Sequence, residues 1–143
     1  MARLDGNQLY MVRARAALPI LVSLARAGRK VTYSELADRL SMPNPRNLDH
    51  VLGAIGDALL ELSTRWGICL PRIQALVVGR STDVPGDGLA WYAPDADTYR
   101  SASRDERKKI VLPMQEEAFG FEGWDDVLDA FGLKPLSADL HVR

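Results

Sequence analysis

The chain has a single cysteine, Cys69, no run of about 18 consecutive apolar residues, and no large excess of charge of either sign. One cysteine cannot close an intramolecular disulfide and cannot by itself supply a cysteine-rich zinc site, so no metal site is expected. Without a long apolar run no membrane-spanning helix is expected. Residues 1–6 are short, charged and lack an apolar core, so no secretory leader is expected and the location is read as cytoplasmic. Walker, GxSxG, HExxH and dinucleotide fingerprints are all missing, which leaves no cofactor to expect. What is present is a hydrophobic content of 47%, which with a net charge of −1 excludes disorder as the main state. The 143 residues suit one domain, or one compact domain with a C-terminal appendage, with enough chain to bury a core without cross-links.

The small net charge conceals a regional pattern. Residues 1–46 carry eight basic and three acidic side chains, and residues 100–109 carry five and two. Residues 47–99 carry three and seven, and residues 110–143 two and seven. Cancellation between segments is compatible with one positively charged side that could face phosphates, and equally with a mixed solvated surface. Fourteen of the basic residues are arginine and four are lysine; arginine suits bidentate pairing with phosphate or carboxylate, although genome composition produces the same bias.

Periodicity places a helix over residues 7–27, with Leu9, Val12, Ala16, Ile20 and Leu24 on its apolar face, a kink or break at Pro19, and Gly28 as C-cap. Thr32-Tyr33-Ser34-Glu35 reads as a capping box opening a second helix that stops before Pro43 and Pro45. A third helix, N-capped by Asn47, carries Leu48, Val51, Leu52, Ile55, Leu59, Leu62 and Trp66 on one face. Gly53 and Gly56 lower its propensity and could admit another backbone. Residues 73–78 read as a strand, 79–88 as a polar loop and 89–92 as a returning strand, together a β-hairpin. The remainder reads as helix, interrupted at Pro113, with Trp124, Val127, Leu128 and Phe131 forming a final apolar face.

Three helices followed by a hairpin is the order of a winged helix, a form of helix-turn-helix. The expected fold is therefore α+β and mostly helical, with a winged-helix domain over residues 1–92 and a C-terminal helical extension over residues 93–143 packing on it. A local resemblance points the same way. Val31-Thr32-Tyr33-Ser34-Glu35-Leu36-Ala37, Ile55-Gly56-Asp57-Ala58-Leu59, Leu70-Pro71, Val77-Val78 and Pro85-Gly86-Asp87-Gly88-Leu89 resemble the winged-helix DNA-binding domain of alkylguanine-DNA alkyltransferases across residues 31–92. The resemblance implies a DNA-binding fold. The acceptor-cysteine segment of that family falls on Pro71-Arg72-Ile73-Gln74, so Arg72 stands in the place of the cysteine and Ile73 in that of the activating histidine. The arginine with which the family replaces a flipped base falls at Gly53. An alkyltransferase-like protein without alkyl transfer is what this implies: no catalytic residue and no enzyme activity are expected.

If duplex DNA is the partner, the expected contacts are Arg46, Asn47 and His50 at the start of the third helix, Thr32, Tyr33 and Ser34 at the start of the second, and Arg80, Ser81 and Thr82 on the wing. Asp49, Asp57 and Glu61 count against the third helix as a DNA-facing element. Asp87 followed by Glu106-Arg107-Lys108 has the form of a metal-dependent nuclease motif, but such a motif belongs on strands and Glu106 falls in a predicted helix. The alternative is a protein-interaction or dimerisation subunit that uses the same fold without nucleic acid. Its docking surface would be the set Met114, Phe119, Phe121, Trp124 and Phe131, presented to a second copy or a larger protein; the competing reading packs this set on the domain's own core.

Overall fold

The computed structural model describes residues 4–86, 89 and 96–136. The fold is α+β and mostly helical. Its helices are α1 (Leu9–Arg26), α2 (Tyr33–Arg39), α3 (Leu48–Trp66), α4 (Ala96–Ser101), α5 (Arg104–Gly120) and α6 (Trp124–Ala130). Among the described residues two short strands, β1 (Val31–Thr32) and β2 (Val77–Val78), pair with each other, and 3-10 turns occupy Pro45–Asn47 and Ile73–Leu76. No described helix is long and apolar enough to cross a membrane.

Helix α1 is central. Ala17, Leu18, Pro19, Ile20, Leu21 and Val22 are all buried, and α3, α5, α6 and the Ile73–Leu76 turn pack around them. A helix stretch that is apolar on every side belongs in an interior. The expected face is therefore only half right. Leu9 and Val12 are 60% and 45% exposed and Ala16 is exposed too, and burial passes instead to Ala14, Ala17, Leu18, Leu21 and Ala25. The helix also runs through Pro19 as one element. Likewise α5 runs through Pro113, and the interruption lies upstream, where Ser103 and Glu106 form a capping box that starts α5 afresh.

The other helices follow their sequence signals more closely. Leu48, Val51, Leu52, Ile55, Leu59 and Leu62 of α3 are buried, whereas Trp66 in the last turn is exposed. Asn47 makes no side-chain cap; the Asn44 carboxamide oxygen instead accepts from the Arg46 N–H at 3.0 Å and starts the 3-10 turn ahead of α3. Helix α1 closes at Gly28 (φ +67°), with the Arg29 N–H bonded to the Leu24 carbonyl at 2.9 Å. Helix α2 closes in the same way on Ser41, at φ +56°, with the Met42 N–H on the Ala37 carbonyl at 2.8 Å.

The expected hairpin wing is not what the strands form. Val31 pairs with Val77 and Thr32 with Val78 in parallel, and the crossover between them contains α2 and α3. The first part of the predicted strand, Ile73–Leu76, is a 3-10 turn with all four residues buried. A short, mostly apolar run does not distinguish strand from helix by its periodicity, and tertiary packing decides. Of the predicted return strand only Leu89 is described: it is buried and its N–H bonds the Gly86 carbonyl in a turn. Residues 90–92 lie outside the described residues.

The C-terminal helices share the interior with α1. Trp124, Val127 and Leu128 enter the main core, and the Trp124 indole N–H bonds the Ala118 carbonyl, one of the last carbonyls of α5, at 2.9 Å. Buried Gln115 donates to the Ala75 carbonyl at 3.0 Å and ties α5 to the 3-10 turn. A smaller cluster of Ala75, Leu89, Tyr99, Val111 and Met114 seals the other side, where the Tyr99 hydroxyl donates to the Pro85 carbonyl at 2.6 Å.

Two stability predictions follow from this packing. A Cβ at Gly53 would meet nothing within 4 Å, so no backbone approaches there; Gly53→Ala should stabilise the protein by about 0.5–1 kcal/mol and raise the Tm. Gln115→Leu leaves the Ala75 carbonyl buried without a donor and should cost about 1–3 kcal/mol in a urea unfolding titration.

Candidate nucleic-acid interface

The three groups of expected contact residues fare differently. At the start of α2, Thr32 is held in β1 and its hydroxyl accepts from the Glu35 N–H at 3.1 Å, while the Thr32 N–H donates to the Glu35 carboxylate at 3.1 Å. The half-buried Tyr33 hydroxyl accepts from the Gly86 N–H at 2.7 Å and so fastens α2 to the loop after β2. Ser34 is exposed. Thus Thr32 and Tyr33 serve the local fold, and the Glu35 carboxylate places negative charge at a helix start where an anion had been expected.

Arg46, Asn47 and His50 are exposed at the entry to α3. Among the described residues Arg46 makes no ion pair. The His50 ring lies 6.3 Å from that of Tyr10 on α1, a neighbour that sequence reasoning did not supply.

Arg80, Ser81 and Thr82 are exposed in a tight turn directly after β2. The Gly79 N–H bonds the Val84 carbonyl and the Asp83 N–H bonds the Gly79 carbonyl, both at 2.9 Å. Thr82 donates its hydroxyl to the Val84 carbonyl at 3.3 Å.

Parallel pairing of β1 with β2 brings the first and third groups to the same end of the strand pair, since Thr32 is opposite Val78. Other cations converge there. Arg29 and Arg80 both act on the Glu35 carboxylate. Lys30 Nζ lies 3.0 Å from both carboxylate oxygens of Asp83, and Lys108 Nζ from α5 lies 3.9 Å from one of them. Arg29, Lys30 and Lys108 were missed as site residues. The signal was the basic excess in residues 1–46 and 100–109, but nothing in the sequence brings those segments together.

The segment matched to the alkyltransferase motif borders a cavity of about 350 Å³ between the second half of α3 and residues 67–74. Leu59, Leu60, Ser63, Cys69, Pro71 and Gln74 are among its lining residues. Ile73 is fully buried and Cys69 is exposed. Of the nuclease pattern, Asp87 lies outside the described residues, and Glu106 caps α5 through Ser103. Among the described residues no group of three or more His, Cys, Asp or Glu side chains is arranged to hold a metal ion.

The C-terminal aromatic set faces inward. Met114 and Trp124 are buried, Phe121 meets Trp124 edge-on at 4.9 Å, and Phe119 and Phe131 pack partly buried against the core. No protein family, curated protein or solved structure matches the chain.

The Glu35 carboxyl is held below its ordinary value of 4.5, first by the Thr32 backbone N–H, then by the Thr32 side chain, with Arg29 and Arg80 adding to the effect. A carboxyl depressed on folding stabilises the folded chain above its unfolded value, and that stabilisation is lost as pH falls through the folded value. The Tm deficit of Glu35→Gln relative to the parent should therefore be present at neutral pH and shrink below about pH 4.5 in a pH series of thermal melts.

Proposed function

We propose that the chain is a non-catalytic, cytoplasmic protein that binds double-stranded DNA as an accessory or regulatory factor. In this reading α1, α2 and α3 act as a helix-turn-helix unit of winged-helix type, and the turn of residues 80–82 takes the place of a hairpin wing. The observation that carries it is the meeting of Lys30 and Lys108 at Asp83, at one end of the strand pair, with Arg29 and Arg80 near enough to Glu35 to help hold its carboxyl down. Such a cluster can neutralise backbone phosphates although the chain as a whole is slightly acidic. Exposed Ser34 and Ser81 flank the cluster with hydroxyl donors suited to phosphate oxygens. Arg46, Asn47 and His50 stand at the start of α3, where the second helix of a helix-turn-helix meets base edges. The non-catalytic part of the reading rests on Arg72 and buried Ile73 in the places of the acceptor cysteine and activating histidine.

A second reading, a protein-interaction or dimerisation subunit, has its own supporting observation. Leu60, Trp66 and Ile68 are 50%, 39% and 49% exposed around the end of α3, a concentration of apolar surface.

Salt dependence separates the two. Binding to a labelled random-sequence duplex should weaken steeply as salt rises from about 50 to about 200 mM, through counterion release. Replacing Arg46 and Arg80 together with glutamine should flatten the log–log slope by about 2 and weaken low-salt binding on the order of tenfold. No binding to duplex at low salt would remove the DNA reading and leave the interaction subunit, with the apolar end of α3 as its surface.

A further inference from the structure

We propose that Lys30 and Lys108 form an oxyanion site that the Asp83 carboxylate occupies in the free protein, and that a phosphate of the DNA backbone displaces Asp83 on binding. The proposal rests on the DNA reading above and gives it a built-in competitor. Lys30 Nζ contacts both oxygens of the carboxylate at 3.0 Å, and Lys108 Nζ approaches Oδ2 at 3.9 Å. The two ammonium groups come from the loop before β1 and from α5, so the tertiary fold sets two like charges against one anion. Removing that anion would leave both cations facing the same space, and a cavity of about 200 Å³ lined in part by Lys30, Asp83 and Lys108 provides room there.

Asp83 is placed by its backbone. Its φ of +58° lies in the left-handed region, which, among residues other than glycine, asparagine and aspartate enter most readily. The turn is closed by the paired hydrogen bonds between Gly79, Asp83 and Val84, which fix the backbone that carries the carboxylate. All three side chains remain well exposed, at 37%, 41% and 50%. Exposed ion pairs of this kind are individually weak and are screened by salt. A phosphodiester belongs to a polyanion whose counterions are released when cations bind it, an advantage that a single carboxylate lacks. Exchange of one anion for the other thus requires only a side-chain movement at Asp83.

The test compares the full-length parent with Asp83→Asn and Asp129→Asn. Asparagine tolerates the left-handed backbone, so Asp83→Asn should keep the parent Tm. Asp129, exposed near the end of α6, gives the same change in net charge away from the lysines. Asp83→Asn should bind a labelled random-sequence duplex about three- to tenfold tighter at about 50 mM salt, while Asp129→Asn stays within about twofold of the parent. Equal binding by the two variants, or weaker binding by Asp83→Asn, would overturn the proposal. The second arm titrates each protein with inorganic pyrophosphate and follows the Cε resonances of the four lysines. Shifts at Lys30 and Lys108 confined to Asp83→Asn, with Lys109 and Lys134 as internal references, are expected. If none of the three proteins binds duplex, the DNA reading fails; the oxyanion site then survives on those pyrophosphate shifts and is overturned by their absence.

Discussion

Complete burial of the middle of α1 is the constraint on which the other elements depend. Proline inside a helix costs about 3 kcal/mol, yet α1 continues through Pro19. Fully burying a Leu, Ile or Val side chain returns roughly 1.5–3 kcal/mol, and Leu18, Ile20, Leu21 and Val22 flank that proline. Their combined burial exceeds the cost several times over, so the helix stays intact provided that it is covered on all sides. Covering it takes α3, the Ile73–Leu76 turn, α5 and α6 together. The C-terminal helices are part of that cover, because Ala118, Trp124, Val127 and Leu128 belong to the same core.

The second constraint is small in area and large in consequence. Two residues in each of two strands pair in parallel, and this pairing sets the start of α2 beside the turn after β2. Tyr33 then bonds the backbone at Gly86, Lys30 reaches Asp83, and Lys108 arrives from α5. A hairpin would have carried residues 80–82 away from the body as a wing. The parallel pair holds them against it, so the cationic group is compact and its acidic members, Glu35 and Asp83, moderate it from within.

Some local signals carry through to the structure, although Asn47 does not cap α3 and the periodic face expected for α1 is only half buried. The Thr32–Glu35 capping box, the buried face of α3 and the glycine closing α1 are of this kind, because each depends on residues within a turn or two of one another. Signals that depend on what lies opposite were read less well. Residues 73–76 could pack as strand or 3-10 turn, and Gln115 and the surrounding core decided it. A kink or a break is the expectation at Pro19 and Pro113, and α1 and α5 each continue through the proline as one element. Among the candidate site residues, Ser34, Arg46, Asn47, His50, Arg80, Ser81 and Thr82 are exposed, and the hydroxyls of Thr32, Tyr33 and Thr82 are hydrogen-bonded to the chain's own backbone.

The sequence by itself determined the mostly helical α+β class, the positions of the first three helices, and the division of charge into two basic and two acidic segments. These follow from composition and from interactions a few residues apart. Only the tertiary structure decided that α1 is central, that the strands run parallel, and that Lys30 and Lys108, from the two basic segments, meet at Asp83. Those outcomes turn on how separate apolar faces cover one another, and the energy of that arrangement is carried by contacts between residues far apart in the chain.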